Sequence, residues 1–400
     1  MIHVAGGTYL EYCREPHWFE LYGSGLRAAL TLARLQIPTK LSTFVGADQL
    51  AVLQAKIGDV DATCRDIPAT VAFEYLHPLS RPITAPDAVV RNLTRNPLQI
   101  EVNDDKVIRF GVIEGDAKVT AKIAVYDPQS PGDPRAFAEN ASVADRLAIV
   151  ANRTEAQQLS GVADPQAACL ALAARGAEVA IVKCGAYGCW VGHGGTATRV
   201  SAFRTRSVFP IGSGDVFTAL FARGWMELGL EPVEAATLAS RGTAHFVETA
   251  DLPDAAALAN TARSVMEPLD PAQHKRVYLA APFFNLPQRW LVEEFCFALR
   301  EAGVKVFSPV HDVGRGSAEA VYEPDIDGLK KCGVVLACLD GLDPGTIYEV
   351  GYAQSLGLRV IAFASAEREE DLKMPVGGGC EKADDFATAF YLTVWAATCA

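Results

Sequence analysis

The sequence lacks any long apolar run, and this absence excludes one broad class of protein. No stretch approaches the roughly 18 consecutive apolar residues that a membrane-spanning helix needs. The first residues, Met1-Ile-His-Val-Ala-Gly, have neither the charged start nor the apolar core of a secretory signal. We therefore expect a cytoplasmic protein with no membrane partner.

Clustered cysteines and an excess of positive charge are also missing. Ten cysteines are scattered without a C-x-x-C pair or a Cys/His ligand spacing, which predicts reduced, mostly buried thiols and no structural zinc. We predict no residue as a direct metal ligand. The net charge of −12 argues against polymeric nucleic acid and anionic membrane surfaces as partners. Small phosphorylated molecules stay possible, because backbone amides at helix starts can hold them.

What the sequence does contain is repeated strand–helix alternation on both sides of one break. The chain has 400 residues, of which half are hydrophobic and 21% charged, so it is globular and long enough for at least two domains. Proline and charge replace periodicity at Asp251-Leu-Pro-Asp and again at 267–276, which indicates a domain boundary. The alternation predicts parallel sheets on both sides. The irregular, proline-rich range 59–98 predicts a small sheet or lid over the first domain.

An acidic turn follows the apolar run 334–339 of the second half. Its sequence is Asp340-Gly-Leu-Asp-Pro-Gly-Thr-Ile-Tyr-Glu349, with turn chemistry at Asp343 and a helix predicted to begin near Thr346. Acids at the carboxyl end of a strand lie where open α/β sheets bind ligands. The spacing Thr346-x-x-Glu349 also fits a capping box, which would give Glu349 only a structural role. Local spacing leaves both interpretations open, although a cap requires no further acids.

A glycine-rich turn is the sharpest feature of the first half. Pro210-Ile-Gly-Ser-Gly-Asp215 leads into an apolar helix, so successive backbone N–H groups can hold a phosphate or a developing anion. Asp215 follows at once and is placed to take a proton from a substrate hydroxyl. The alternative is a turn whose Asp is simply favoured by the helix dipole.

Residues 1 to about 250 resemble the ribokinase-like (PfkB) sugar and nucleoside kinases. The motifs occur in order: Tyr22-Gly-Ser-Gly25, Gly46-Ala-Asp48, Asn152-x-x-Glu155, Lys183-x-Gly185-x-x-Gly188 and Gly212-Ser-Gly-Asp215. The resemblance implies that Asp215 is the catalytic base on an acceptor hydroxyl. It implies an anion hole and nucleotide, magnesium and phosphate contacts at Gly212, Ser213, Gly214, Asn152, Glu155, Lys183 and Gly185. It implies substrate contacts at Gly23, Gly25 and Asp48.

The first half also departs from that family at one segment. Phe209, Pro210 and Ile211 stand where the family usually has Asp-Thr-Thr, and the early substrate-binding acid has Glu11 as its nearest candidate. Two hypotheses follow. The first half is an ATP- and Mg²⁺-dependent kinase, or it is a degenerate nucleotide-sensing module that regulates a nucleotide glycohydrolase.

Residues 275 to 365 resemble the nucleoside 2-deoxyribosyltransferases. The matching segments are Tyr278-Leu-Ala-Ala-Pro-Phe-Phe, Ser308-Pro-x-x-Asp312-Val-Gly, Asp325-x-Asp-Gly-Leu, Leu339-Asp-Gly-Leu-Asp-Pro-Gly and Glu349-Val-Gly-Tyr-Ala. The resemblance implies that Glu349 is the nucleophile at the anomeric carbon. It implies that Asp343 and Asp325 assist with sugar hydroxyls and base protonation, and that Tyr278 orients Glu349.

The aromatic residues Phe283 and Phe284 can stack a base. Asp312 can contact a base or a 5′-phosphate, and its alternative is a solvated loop. In the nucleoside 2-deoxyribosyltransferase family an active site can be completed by a neighbouring subunit. The resemblance therefore implies a homo-oligomer.

These observations predict two doubly wound, Rossmann-like α/β domains. A ribokinase-like domain over 1–265, with its lid near 59–98, precedes a smaller flavodoxin-like nucleoside deoxyribosyltransferase domain over 275–400. We expect a bifunctional enzyme that acts on small nucleosides, nucleotides or sugars. The second domain cleaves or transfers the N-glycosidic bond of a 2′-deoxyribonucleoside or its 5′-monophosphate, without a cofactor. The sequence does not choose between hydrolysis and transfer.

Overall fold

A computed structural model describes residues 1–130, 132–263 and 266–399. They form two compact units. The first comprises Met1–Thr205 and Phe209–Pro268, and the second comprises Arg206–Val208 and Leu269–Ala400. Within the described ranges, no helix is both long and apolar enough to cross a membrane.

The first unit is built on a large, mainly parallel sheet. The strands of the whole unit are β1 (Ile2–Ala5), β2 (Leu10–Cys13), β3 (Trp18–Leu21), β4 (Thr39–Gly46), β5 (Asp61–Ile67), β6 (Ala72–Tyr75), β7 (Ile83–Ala85), β8 (Leu98–Asn103), β9 (Lys106–Phe110), β10 (Gly115–Asp127), β11 (Val143–Asn152), β12 (Val179–Lys183), β13 (Cys189–His193), β14 (Thr196–Val200) and β15 (Ala202–Phe203), with β16 (Pro268–Leu269) at the end of the unit. The large sheet has the order β14-β13-β12-β11-β10-β9-β1-β4-β5, and β8 also pairs with β10. Strand β13 pairs antiparallel with both β12 and β14. Apolar runs such as the buried Val179-Ala-Ile-Val of β12 suit a sheet that is covered on both faces.

Helices pack against this sheet. They are α1 (Gly23–Arg34), α2 (Leu50–Ile57), α3 (Asp87–Arg95), α4 (Arg153–Ser160), α5 (Pro165–Ala174), α6 (Ser213–Ala222), α7 (Pro232–Thr249) and α8 (Ala255–Arg263), with short 3₁₀ turns at Phe137–Asn140 and Gly185–Tyr187 and a π turn at Arg223–Glu227. The sequence predicts strands over 123–127, 147–152 and 178–183, and their ends coincide with those of β10, β11 and β12 at Asp127, Asn152 and Lys183.

A second, smaller sheet has the order β3-β2-β6-β7. Strands β6 and β7 lie in the range predicted for the lid, whereas β2 and β3 come from the hairpin near the start of the chain. Strand β5, also inside 59–98, pairs instead with β4 of the large sheet. The strands of the small sheet have four residues or fewer, which is too short for alternation to identify them in the sequence.

The second unit is a doubly wound parallel sheet. Its strands are β17 (Val277–Ala280), β18 (Val306–Phe307), β19 (Val334–Cys338), β20 (Arg359–Phe363) and β21 (Glu381–Ala383), and its helices are α9 (Leu286–Glu301), α10 (Pro309–Asp312), α11 (Ala318–Lys330), α12 (Pro344–Ser355), α13 (Lys373–Gly377) and α14 (Phe386–Thr398). The order β18-β17-β19-β20-β21 confirms the predicted flavodoxin-like arrangement. The strand order reverses between β17 and β19, so a ligand crevice is expected at their carboxyl ends.

The sequence predicts a short helix over Asp325–Lys331 and a closing amphipathic helix over 384–400, and the structure differs from both predictions. Helix α11 begins at Ala318 rather than near Asp325, because Pro324 lies inside it and interrupts the helical pattern. The closing helix α14 is buried on nearly all sides and is not amphipathic. Its sequence carries no charged residue, so no face of it favours water.

Candidate functional site

The first candidate site lies at the reversal point of the second sheet. Tyr278 belongs to β17, and Glu349 belongs to α12, which follows β19. The Tyr278 hydroxyl donates a hydrogen bond of 2.5 Å to Glu349 Oε1. Burial raises the pKa of Glu349 to about 7; the bond from Tyr278 opposes this rise, and the nearby charges of Asp325 and Asp343 add to it. A carboxylate of this kind ionises near neutral pH and is poorly solvated, which suits a nucleophile.

The two assisting acids have different environments. Burial raises the pKa of Asp325, and its Oδ1 atom is buried with no hydrogen-bond partner among the described residues. Asp343 caps helix α12, and its Oδ2 accepts from the Thr346 amide at 2.8 Å and from the Thr346 hydroxyl at 3.1 Å. The helix therefore begins at Pro344 with Asp343 as its cap. The capping box that would have started at Thr346 is not formed, and Glu349 is directed to Tyr278.

The Tyr278 ring stacks on a neighbouring aromatic ring. The rings of Tyr278 and Phe307 are stacked with centroids 5.4 Å apart, and the Arg276 guanidinium lies 4.9 Å from the Phe307 centroid. Helix α11 approaches Phe307 at Gly328, where an added Cβ would lie 2.2 to 2.6 Å from the ring. Glycine at this position therefore allows the stack that holds Tyr278.

We expect Gly328→Ala to destabilise the second unit. The new methyl group forces Phe307 to move, and overpacking of this kind costs about 1–3 kcal/mol. Urea unfolding followed by Tyr fluorescence measures the loss. Gly351→Ala, in α12 with open space around its Cβ position, is the matched control and should be neutral or stabilising. Equal effects of the two substitutions would contradict the packing argument.

The other predicted contacts of this unit surround the strand ends. Phe283 and Phe284 follow β17, their rings stack at 5.4 Å, and Phe284 is 67% exposed. Asp312 already has partners: its Oδ1 accepts from Arg276 at 3.0 Å and its Oδ2 from the Ser308 amide at 2.9 Å. The structure thus exposes the Phe284 ring, leaves Phe283 half-buried and gives Asp312 an internal bonding role.

The second candidate site is a cavity of about 460 Å³ in the first unit. Most of the residues predicted for the kinase site line it: Gly23, Asn152, Glu155, Lys183, Gly185, Gly212, Ser213, Gly214 and Asp215. Gly25 and Asp48 are not among the lining residues. The Gly25 amide donates to the Gly7 carbonyl, and Asp48 Oδ1 accepts from the amide and the hydroxyl of Thr70.

Asn152 and Glu155 meet at the amino end of α4. The Asn152 side chain accepts from the Glu155 amide, and Glu155 accepts from the Asn152 amide, both at 2.9 Å. This is a reciprocal capping box, which the spacing Asn-x-x-Glu indicates in the sequence. It fixes both side chains at the cavity wall.

Several lining residues were missed by the sequence analysis, and the charged ones form two groups. Asp127 ends β10 and pairs with Lys183 at 2.5 Å, and the Thr218 hydroxyl donates to the same carboxylate oxygen at 2.9 Å. Arg27 pairs with Glu11 and with Asp215. The aromatic side chains among the missed residues are Tyr9, Phe73 and Tyr75. A signal for Arg27 was present, because it and Arg34 are the two charged residues in the otherwise mostly apolar run Leu26 to Leu35.

The cavity offers groups that suit a magnesium–nucleotide complex. Mg²⁺ prefers carboxylate oxygens, and Asp127 Oδ1 is buried without a partner among the described residues. Glu155 lies at the same wall, and the Lys183 ammonium is 3.3 Å from the position of a Cβ at Gly214. These side chains fit the predicted ATP and Mg²⁺.

Comparison with known proteins supports the two resemblances. Residues 117–262 match the family model of pfkB family carbohydrate kinases, and residues 277–382 match that of nucleoside 2-deoxyribosyltransferases. The motifs at 152–155, 183–188 and 212–215 lie inside the first match, and those at 278, 325, 343 and 349 lie inside the second. A search of curated proteins gave no match. Both sequence-based resemblances are confirmed.

One solved structure supports the fold of the first unit. A fructokinase from Vibrio cholerae, bound to fructose, ADP and a calcium ion, superposes with a TM-score of 0.50 at 16% identity, over 65% of this chain and 98% of that one. An aminoimidazole riboside kinase from Salmonella enterica gives 0.49 at 14% identity (66% and 99% covered), and a ribokinase from Thermotoga maritima gives 0.48 at 17% (66% and 99%). At these identities the fructokinase likeness shows the fold alone, which is the predicted ribokinase-like fold.

Proposed function

We propose that this chain is a bifunctional enzyme of nucleoside metabolism. It joins a PfkB kinase-like region to a nucleoside deoxyribosyltransferase-like region. Its second domain, over 275–400, cleaves or transfers the N-glycosidic bond of a 2′-deoxyribonucleoside or its 5′-monophosphate. The observation that carries this proposal is the 2.5 Å bond from Tyr278 to a Glu349 carboxyl group whose pKa burial raises to about 7.

The proposed reaction begins with attack by Glu349 on the anomeric carbon. The bond to the base breaks through an oxocarbenium-like state, and the sugar becomes covalently attached to the carboxylate. Asp325 gives a proton to the leaving base, a role for which burial suits this carboxyl group because it raises its pKa. Tyr278 holds Glu349 in position. Water as the second nucleophile completes a hydrolysis, and another base completes a transfer.

Tyr278→Phe is expected to shift the acid limb of the rate–pH profile to higher pH. Glu349 must be ionised to attack, so activity should rise with pH through about 7. The Tyr278 hydroxyl stabilises the ionised carboxylate and lowers the pKa of Glu349, so its removal shifts the limb to higher pH. Initial rates of base release between pH 5 and 9 measure this shift. Tyr391→Phe, at a half-buried tyrosine on α14, is the control, and an unmoved limb in Tyr278→Phe would contradict the assigned bond.

A second activity is proposed for the first domain, over 1–265, because its cavity gathers most of the predicted kinase residues. Asp215 takes the proton of an acceptor hydroxyl on a sugar or nucleoside. The turn at Gly212–Gly214 faces the transferred phosphoryl group, and Asp127, Asn152, Glu155 and Lys183 would hold a magnesium–nucleotide. Bound Mg-ATP would supply the phosphoryl group. The alternative remains a nucleotide-sensing module that binds without turnover.

The test of the first proposal is the release of free base. The full chain is incubated with a panel of deoxyribonucleosides and their 5′-monophosphates, with and without an acceptor base, and products are separated by chromatography. Base release with water alone indicates hydrolysis, and a new nucleoside indicates transfer. No product from any substrate would contradict the proposed chemistry.

A further inference from the structure

A buried arginine connects two carboxylates in the cavity of the first unit. Arg27 is 1% exposed and lies in α1, between Glu11 of β2 and Asp215 of α6. Its Nη1 donates to Glu11 Oε1 at 2.9 Å and to Asp215 Oδ2 at 2.7 Å, and its Nη2 donates to Glu11 Oε2. All three residues line the cavity. The Arg27 guanidinium thus links Asp215, the predicted base, to Glu11, which lies 204 positions earlier in the chain.

The other oxygen of Asp215 is held as well. Gln129 Nε2 donates to Asp215 Oδ1 at 2.5 Å. The Gln129 backbone has φ +43°, a left-handed conformation that non-glycine residues rarely adopt and that concentrates at functional sites. Arg27 and Gln129 therefore fix the Asp215 carboxylate from two sides.

The same guanidinium lies against the glycine turn. Gly212 has φ +81°, and a Cβ at this position would lie 2.1 to 2.4 Å from three atoms of the Arg27 guanidinium. Arg27 Nε is buried without a partner among the described residues. The positive charge is therefore in contact with the backbone that faces a transferred phosphoryl group, where an anion would be stabilised.

Stability alone does not account for this arrangement. Burying one cation and two anions costs desolvation energy, and apolar side chains of similar size often stabilise a protein as well or better. The network has one excess negative charge when all three groups are ionised. When Asp215 takes a proton, Glu11 and Arg27 remain as a neutral pair joined by two hydrogen bonds. Arg27 is thus held in the same place in both protonation states of Asp215.

We propose that Arg27 is a positioning residue for phosphoryl transfer, which holds Asp215 against the Gly212 turn before and after proton uptake. The proposal rests on the proposed kinase activity. In the step it serves, the acceptor O–H bond breaks and its proton passes to Asp215. The acceptor oxygen then bonds to phosphorus, and the bond from phosphorus to the leaving nucleoside diphosphate breaks with its electron pair.

The test compares Arg27→Lys and Arg27→Met in the full chain with Arg109→Met. Arg109 is also buried in the first unit and paired with a carboxylate, Asp116, at 2.6 Å, so it reports the structural cost of losing such a residue. We expect Arg27→Met to lower kcat about 10²-fold, as misplaced catalytic groups do, with the acceptor KM changed about threefold or less. Arg27→Lys should have a kcat between those of Arg27→Met and the wild type, since lysine keeps the charge but lacks the bidentate geometry of arginine.

Added guanidinium chloride at low concentration distinguishes positioning from folding. It should raise the kcat of Arg27→Ala and leave that of Arg109→Ala unchanged, because only the first substitution opens a guanidinium-sized space beside Asp215. The inference is overturned if the wild type transfers phosphoryl groups and Arg27→Met matches Arg109→Met in kcat, or if guanidinium restores neither variant. A wild type that turns over no acceptor overturns the kinase proposal itself, which is a separate and recognisable result.

Discussion

Replacement of Glu349 by glutamine is expected to reduce base release by about 10³-fold or more, because removing a nucleophile eliminates the covalent route. The amide can still accept the hydrogen bond from Tyr278, so the surroundings of the side chain are preserved. Chromatographic rates on the best deoxyribosyl substrate measure the loss. Glu370→Gln, at an exposed acid of the same unit paired with Lys373, should retain the wild-type rate.

Loss of folding does not explain this expected result, since the substitution should stabilise the protein at alkaline pH. Burial raises the pKa of Glu349 to about 7 from an ordinary value near 4.5. The neutral form is favoured in the folded state, so its contribution to stability is fully present below pH 4.5 and is lost as pH rises through 7. Glutamine has no charge to bury. Glu349→Gln should therefore gain up to about 3 kcal/mol over the wild type at pH 8 and little at pH 5.

Azide gives an independent check of the nucleophile. In Glu349→Ala the missing carboxylate leaves space beside the anomeric carbon, and azide can attack there as the base departs. The product is a glycosyl azide whose configuration is opposite to that of the substrate, because a single displacement inverts the carbon. A base-release rate in Glu349→Ala equal to that of the wild type would show that another group attacks.

The sequence identified the second site more completely than the first, for a physical reason. Asp343 and Glu349 follow the carboxyl end of β19, where parallel sheets collect functional groups, so local spacing pointed to them. Tyr278 and Asp325 were predicted only through the resemblance to the nucleoside 2-deoxyribosyltransferases. What local patterns could not decide was the cap of α12. Both Asp343 and Thr346 are good N-caps, and only the folded chain shows that the helix begins at Pro344.

The contacts of the first site arise from residues that are distant in sequence. Arg27 belongs to α1, Gln129 to the loop after β10 and Asp215 to α6, and no periodicity or spacing relates them. Glu11 illustrates this, since it was noted only as the nearest early acid and its pairing with Arg27 depends on the hairpin of β2 and β3. Asp48 shows the converse, since its motif is complete but its side chain bonds to Thr70 and is not among the residues that line the cavity. Charge pairing across elements is a property of the fold, and a single sequence does not report it.

Asp215→Asn is expected to separate the kinase from the sensing module. Asparagine is nearly isosteric and can still accept from Arg27, but it cannot take the acceptor proton, so kcat should fall about 10²- to 10⁴-fold. Binding of acceptor and nucleotide should change little, because the substitution leaves the aromatic lining residues Tyr9, Phe73 and Tyr75 and the Asp127–Lys183 pair unchanged. ATP turnover with a panel of sugars and nucleosides, and calorimetric binding of the same ligands, measure the two effects.

The matched control for this substitution is Asp251→Asn, at an acid that pairs with Arg34 on the surface of the same unit and should have no effect. Turnover that is lost in Asp215→Asn while binding persists assigns the proton transfer to Asp215. Wild-type binding without turnover would instead favour the sensing module. In that case Arg27 and Gln129 would hold Asp215 as a fixed anion that contributes to ligand binding, and Asp215→Asn would weaken binding itself. The two hypotheses thus predict opposite outcomes in the binding measurement, which makes that measurement decisive.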